Sequence, residues 1–176
     1  FLATATGVGG GTVRDLILGV PVFWVLEPTY ILVCSIVAVF VFFGAPMLES
    51  RYKLLLWLDA LGLAAFAVFG AYKGLSVTGS QVVAVVMGAT TATFGGIMRD
   101  VVAREPSVLL RPEIYVTAAL AGSLAYILAH AFGLTDPIAA GEGFLVAFGV
   151  RSGARRFGWT FPRYRPAPGR DPKDIP

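Results

Sequence analysis

The residues of this chain that could do chemistry are two charged pairs set beside glycines: Arg14-Asp15 after Gly9-Gly10-Gly11-Thr12, and Arg99-Asp100 after Gly95-Gly96. Both stand in apolar runs, where charge is costly and marks a functional path, and where glycine removes side chains and helix propensity. The chemistry this suggests is conduction rather than bond-making. Unwound backbone is tolerated at membrane depth only where it lines a polar cavity or is buried in protein. Each copy is therefore read as a membrane helix broken at its glycines, whose freed carbonyls replace part of an ion's water shell. The competing reading is that Gly9–Gly11 and Gly95-Gly96 are close-packing sites between helices, as in small-residue interfaces. Thr12-Val13-Arg14-Asp15 has the T-x-x-D form that would cap a second half-helix at Thr12.

Enzymatic chemistry finds no support. No nucleophile–base set or pair of carboxylates converges, the single histidine His130 offers no metal cluster, and the lone Cys34, in an apolar run, reads as packing. No cofactor is expected. Gly7-Val8-Gly9 begins a G-x-G pattern, but no strand precedes it, Thr12 stands at the third glycine position and no P-loop lysine follows. Adjacent residues on a helix do not face each other, so each charged pair is expected to bond across, Arg14 towards Asp100 or Asp15 towards Arg99. Such pairs either tie the structure together or contact an ion. Lys73, just past a span, is either a gate or an interfacial anchor. His130 reads as a packed interfacial residue or a proton relay, Asp59 as a headgroup-level residue, and Tyr30 and Tyr115 as members of an aromatic belt.

The elements that position these residues are membrane spans. Of 176 residues, 56% are hydrophobic and 14% charged, and the mean hydropathy of +0.75 is that of a membrane protein. The net charge of +3 gathers at the ends of apolar runs and in the tail, as orientation signals do, not as a nucleic-acid surface does. The two glycine segments are copies: Thr6/Thr91, Gly10/Gly95, Gly11/Gly96, Arg14/Arg99, Asp15/Asp100, Pro21/Pro106 and Tyr30/Tyr115 match without a gap. This is an internal repeat. Expected spans are Tyr30–Phe43, stopping at Gly44-Ala45-Pro46; Leu54–Tyr72, followed by a turn from Gly74 to Gly79; a broken Ser80–Arg104; Glu113–Phe132; and a poorly hydrophobic last span around Gly143–Val150, after an acidic loop at Asp136-Pro137 and Glu142.

The register leaves the Asp59–Tyr72 span without a partner before Phe1, so the first repeat is expected to lack its first span and the parent protein to have seven. Residues 1–45 read as the first repeat, 46–53 as a cytoplasmic loop, 54–133 as the second repeat, 134–162 as the last span and 163–176 as a disordered cytoplasmic tail. Basic residues in the Arg51–Lys53 loop, at Arg104 and Arg111, and in a tail with Arg151, Arg155, Arg156, Arg163 and Arg165 put those segments and the carboxyl terminus in the cytoplasm. The turns at Pro21 and Pro106 then fall on opposite sides, and the repeats are inverted. The fold class expected is an all-α polytopic membrane protein with two inverted three-helix repeats, glycine-broken helices and a final helix.

The paired GGGTVRD and FGGIMRD segments, the following VPVFW and the closing FGVRSGARRFGWTFPRY resemble the trimeric intracellular cation channel family in its bacterial branch, together with similar bacterial membrane proteins labelled glycine transporters. The likeness runs from residue 1 to about residue 165. It implies a homotrimer in the bacterial inner membrane, with a potassium-permeable pore in each protomer beside, and lined by, the two glycine-broken helices, the second and fifth spans of the family. On that resemblance the pathway residues are Gly10, Gly11, Thr12, Gly95 and Gly96, with Lys73 as a possible gate. The alternative is a secondary transporter for a small zwitterion such as glycine, its carboxylate at a half-helix N-terminus and its amine at Asp15 or Asp100.

Overall fold

Helices in lipid gain little from hiding apolar side chains against one another, so they associate where small residues let backbones approach. The alanines and glycines of this chain are spaced for that. In the computed structural model, which describes residues 2–48, 52–104 and 114–159, there are seven α-helices and no strand among the described residues. They are α1 Leu2–Ile17, α2 Phe23–Leu26, α3 Thr29–Leu48, α4 Tyr52–Thr78, α5 Gln81–Ala103, α6 Val116–Ala131 and α7 Asp136–Phe157. By length and composition, Trp57–Thr78 and Gln81–Ala103 suffice to cross a membrane, and Thr29–Gly44 and Val116–Ala131 are shorter apolar stretches.

At the centre stands α4. Its Ala60, Ala64, Ala67 and Ala71 recur at helical spacing and are all buried, giving α5, α6 and α7 a smooth face to pack on. Gly74 meets Ala84 of α5, and Gly122 of α6 meets Ala147 of α7. Buried Ser123 turns its hydroxyl to the Ala119 carbonyl at 2.8 Å and lies 3.2 Å from the Ala67 carbonyl, tying α6 to α4. On the other side α1 packs along α5, and α3 rests on α1 with Phe40, Phe42 and Phe43 exposed.

The main correction to the sequence reading is that neither glycine-bearing helix is broken. α1 runs unbroken through Gly9, Gly10 and Gly11, and α5 through Gly95 and Gly96. A helical glycine costs about 1 kcal/mol relative to alanine, whereas each unpaired backbone group in lipid costs several, so continuity wins. Thr12 accordingly caps nothing: its hydroxyl donates to the Val8 carbonyl one turn back at 2.8 Å.

Several boundaries also shift. α3 continues past Gly44-Ala45-Pro46 to Leu48, and α4 begins at Tyr52 and continues through Lys73 and Gly74 to Thr78. The expected Gly74–Gly79 turn shrinks to Gly79, whose φ of +66° is in the region glycine adopts without strain. Ser80 then caps α5, accepting from the Val83 N–H at 3.4 Å. The acidic loop is absent, because Asp136 and Pro137 open α7 behind Thr135 and Glu142 lies within it. Arg151, Arg155 and Arg156 belong to α7, not to a tail. The expected charged loop at Glu49 and Arg51, the loop at Pro106, Arg111 and Pro112, and the tail from Arg163 lie outside the described residues.

Candidate ion pathway

Glycine sits where α1 and α5 cross because nothing larger fits. A Cβ on Gly10 would collide with the Thr91 carbonyl oxygen, and one on Gly95 would collide with the Thr6 carbonyl oxygen. Gly10 and Gly95 are repeat equivalents, and so are Thr6 and Thr91, so the contact is reciprocal. It also reverses direction: as α1 rises from Thr6 to Gly10, its neighbour on α5 falls from Gly95 to Thr91, and the two segments pass antiparallel.

That crossing separates the charged pairs. With Gly10 abreast of Thr91, Arg14 lies level with Met87, and Arg99 is roughly 18 Å away at 1.5 Å per residue. Bonding across is therefore impossible, and each arginine curls back to its own neighbour. Arg14 donates from Nε (2.9 Å) and Nη2 (2.7 Å) to Asp15 Oδ1; Arg99 does the same to Asp100 Oδ1 at 3.0 and 2.9 Å. Lys73 joins the first pair, its Nζ 3.0 Å from Asp15 Oδ1. The remaining Asp15 oxygen accepts from the Phe23 N–H at 2.9 Å, holding α2 over α1. The Arg14 guanidinium lies 5.9 Å from the Phe23 ring centre and 5.4 Å from that of Phe69.

Two cavities flank the crossing. The smaller, about 180 Å³, has Asp59, Arg99 and Tyr115 in its wall together with Thr6, Gly95 and Gly96. The larger, about 420 Å³, has Arg14, Phe23, Tyr30 and Phe69 in its wall. Gly7, Gly11, Phe66 and Thr91 line both, so the two cavities share that wall. Asp59 lines the smaller cavity; Lys73, four turns and roughly 20 Å along α4 at the helical rise, is in neither wall and sits on Asp15 beside Arg14. Thr6 and Thr91 spend their hydroxyl protons on the Leu2 and Met87 carbonyls at 2.8 and 2.7 Å, which leaves oxygen lone pairs for a cation.

At the Asp59 end the carboxylate takes Arg155 at 3.1 Å and Arg151 at 3.5 Å. Arg151 is buried, with its guanidinium 4.7 Å from the Tyr115 ring centre. Asp59 is thus an ion-pair centre, and Tyr115 is a buried wall residue and not part of an aromatic belt. Tyr30 is about half exposed and packs edge-on against Phe23, ring centres 5.0 Å apart. His130 lies apart from the cavities, 3.5 Å from Asp136, and Cys34 packs against Gly7.

Of the residues singled out from sequence, Gly11, Gly95, Gly96, Arg14 and Arg99 reach a cavity wall. Gly10 is consumed by the crossing. Thr12 accepts from Trp24 Nε1 at 2.8 Å and is not in either cavity wall. Thr6, Gly7, Asp59, Phe66 and Tyr115 went unnoticed as wall residues. For four of the wall positions the signal is present in the sequence: Thr6 with Thr91, and Tyr115 with Tyr30, keep the repeat register that identifies the glycines.

Comparison with known proteins agrees with this geometry. A family model described as glycine transporter matches residues 1–46 and 56–131, each segment holding one copy of the motif. A UPF0126 membrane protein of Vibrio cholerae serotype O1 is 37% identical over 169 residues, covering 93% of this chain and 69% of that protein. The UPF0126 inner membrane protein YadS of Escherichia coli strain K12 is 36% identical over 167 residues, covering 93% and 80%. Among solved structures, the TRIC trimeric intracellular cation channel orthologue from Rhodobacter sphaeroides is 53% identical with a TM-score of 0.83, covering 88% of this chain and 80% of that one. A TRIC cation channel solved to explain conductance is 31% identical with a TM-score of 0.87, covering 93% and 81%. The chain belongs to this family of all-α membrane proteins, described as glycine transporters, and has the fold of the TRIC cation channels.

Proposed function

We propose that the chain is a passive, potassium-permeable channel for monovalent cations, and not an enzyme, with its pathway inside one protomer along α4 and across the α1–α5 crossing. The observation that carries this is the pair of cavities that share a wall at Gly7, Gly11, Phe66 and Thr91, with Asp59 lining one and Arg14 the other, in a fold shared with TRIC cation channels. In this reading the Thr6 and Thr91 hydroxyl oxygens, not carbonyls released by broken helices, replace part of the ion's water shell. Gly11, Gly95 and Gly96 keep the passage wide, and Gly10 and Gly95 fix the crossing. Arg14 and Lys73 against the one Asp15 carboxylate leave a net positive end that opposes cations, so Lys73 acts as the gate by leaving Asp15 when the path opens.

The rest of the proposal follows the relatives. Solved neighbours described as trimeric favour a homotrimer, and an inner-membrane relative favours the bacterial inner membrane. The antiparallel passage of the two motif copies supports inverted repeats, with the carboxyl terminus cytoplasmic by the distribution of basic residues. Purified protein in a planar bilayer under a potassium gradient should give unitary currents that reverse near the potassium potential. Saturable glycine uptake without such currents would replace the channel by a transporter.

A further inference from the structure

On the α6–α7 side of α4 lies a groove that the pathway does not use. It holds about 440 Å³ and is walled by Ala65, Val68, Phe69, Ala140 and Phe144, with Tyr72, Tyr126 and Asp136 at its polar end. No lysine or arginine lines it. Asp136 is the first residue of α7 and half exposed. Its Oδ1 accepts the Tyr126 hydroxyl at 3.2 Å and faces His130 Nε2 at 3.5 Å, while Oδ2 takes no hydrogen bond among the described residues. From Tyr72 the apolar floor runs along α4 to Ala65, roughly 10 Å at the helical rise.

We infer that this groove binds a lipid with a primary-ammonium headgroup, phosphatidylethanolamine, its ammonium on Asp136 and one acyl chain along Ala65, Phe69 and Phe144. Three features select that occupant. The carboxylate stands at a helix end, where headgroups lie, and the apolar floor leads from it along a membrane-crossing helix, as an acyl chain does. A carboxylate in a groove that no lysine or arginine lines favours a cation and disfavours an anionic lipid. A primary ammonium donates hydrogen bonds to Oδ2, which a quaternary ammonium cannot do, and the Tyr72 and Tyr126 rings add a face that attracts cations. The site stands whether or not the pathway conducts, since binding is measured without current.

The test is native mass spectrometry of the purified full chain, titrated with phosphatidylethanolamine, phosphatidylcholine and phosphatidylglycerol of identical acyl chains. The parent should take phosphatidylethanolamine roughly three- to fivefold more tightly than the other two, the size of a half-exposed charge-assisted contact. Asp136→Asn keeps an acceptor for Tyr126 and should bring the three lipids to parity. Ala140→Trp fills the groove from its rim, leaves Asp136 in place and should remove the preferred adduct. Equal uptake of all three lipids by the parent, preference for phosphatidylglycerol, or an ethanolamine preference that survives either substitution would each overturn the site.

Discussion

The same ten-residue pattern, TGVGGGTVRD in one place and TATFGGIMRD in the other, is packed in two different ways. Around Arg14-Asp15 everything is closed: both side chains are within 1% of full burial, Lys73 and the Phe23 N–H complete the carboxylate's partners, and the Phe23 ring covers Gly11. Around Arg99-Asp100 the arginine is 42% exposed, and the nearest atom to a Cβ on Gly96 is the Tyr115 hydroxyl, 3.8 Å away. What the copies share is the crossing, made by Gly10 and Gly95. What differs is what the rest of the chain brings to them, Lys73 and α2 to one and Tyr115 to the other. The motif is therefore the scaffold of the pathway, and its control resides in the residues packed upon it.

Removing the charge at each copy probes that difference most strongly. Asp15→Asn strands two cations in a buried place and should destabilise the protein by about 3–5 kcal/mol, read as the thermal midpoint in detergent. Asp100→Asn should cost clearly less, because Arg99 reaches solvent; equal losses would erase the distinction between the copies. The shared crossing should respond alike in both. Gly10→Ala and Gly95→Ala each drive a methyl group into a backbone carbonyl, and each should cost about 1–3 kcal/mol by the same melting measurement. The next glycine along should split the copies again: Gly11→Ala must displace Phe23, whereas Gly96→Ala has room and should stay within about 1 kcal/mol of the parent.

A modest effect, read in gating and not in stability, belongs to Lys73. Lys73→Ala removes one of the two cations on Asp15, and open probability in single-channel records should rise about fivefold, the population shift that about 1 kcal/mol produces. Records that match the parent at every voltage would make Lys73 an anchor only.

Much of this architecture is legible in the sequence because membrane helices are written in long apolar runs. The bounds of the expected Ser80–Arg104 span differ from those of α5 by its cap residues alone, and the repeat register leads directly to the two helices that cross. What stays hidden depends on partners distant in the chain. Whether Gly95-Gly96 breaks a helix or seats a neighbour is decided by Thr6 of α1. Asp59 looks like a solitary headgroup residue until α7 brings Arg155 to it at 3.1 Å. The self-pairing of Arg14 with Asp15 follows from an antiparallel crossing that no local pattern specifies. Lys73 looked as if it lay past a helix end because glycine and serine follow it, yet α4 continues to Thr78.

The claim that ions pass beside the α1–α5 crossing meets its most direct test in Gly96→Leu. Gly96 lines the smaller cavity, and a side chain there meets open space before it meets backbone, so the protein should fold and assemble as the parent does. Its unitary potassium conductance in a planar bilayer should fall sharply, because leucine fills the cavity between Thr91, Tyr115 and Asp59. A folded Gly96→Leu protein that conducts potassium at the parent's unitary level would contradict the account and place the pathway elsewhere in the molecule.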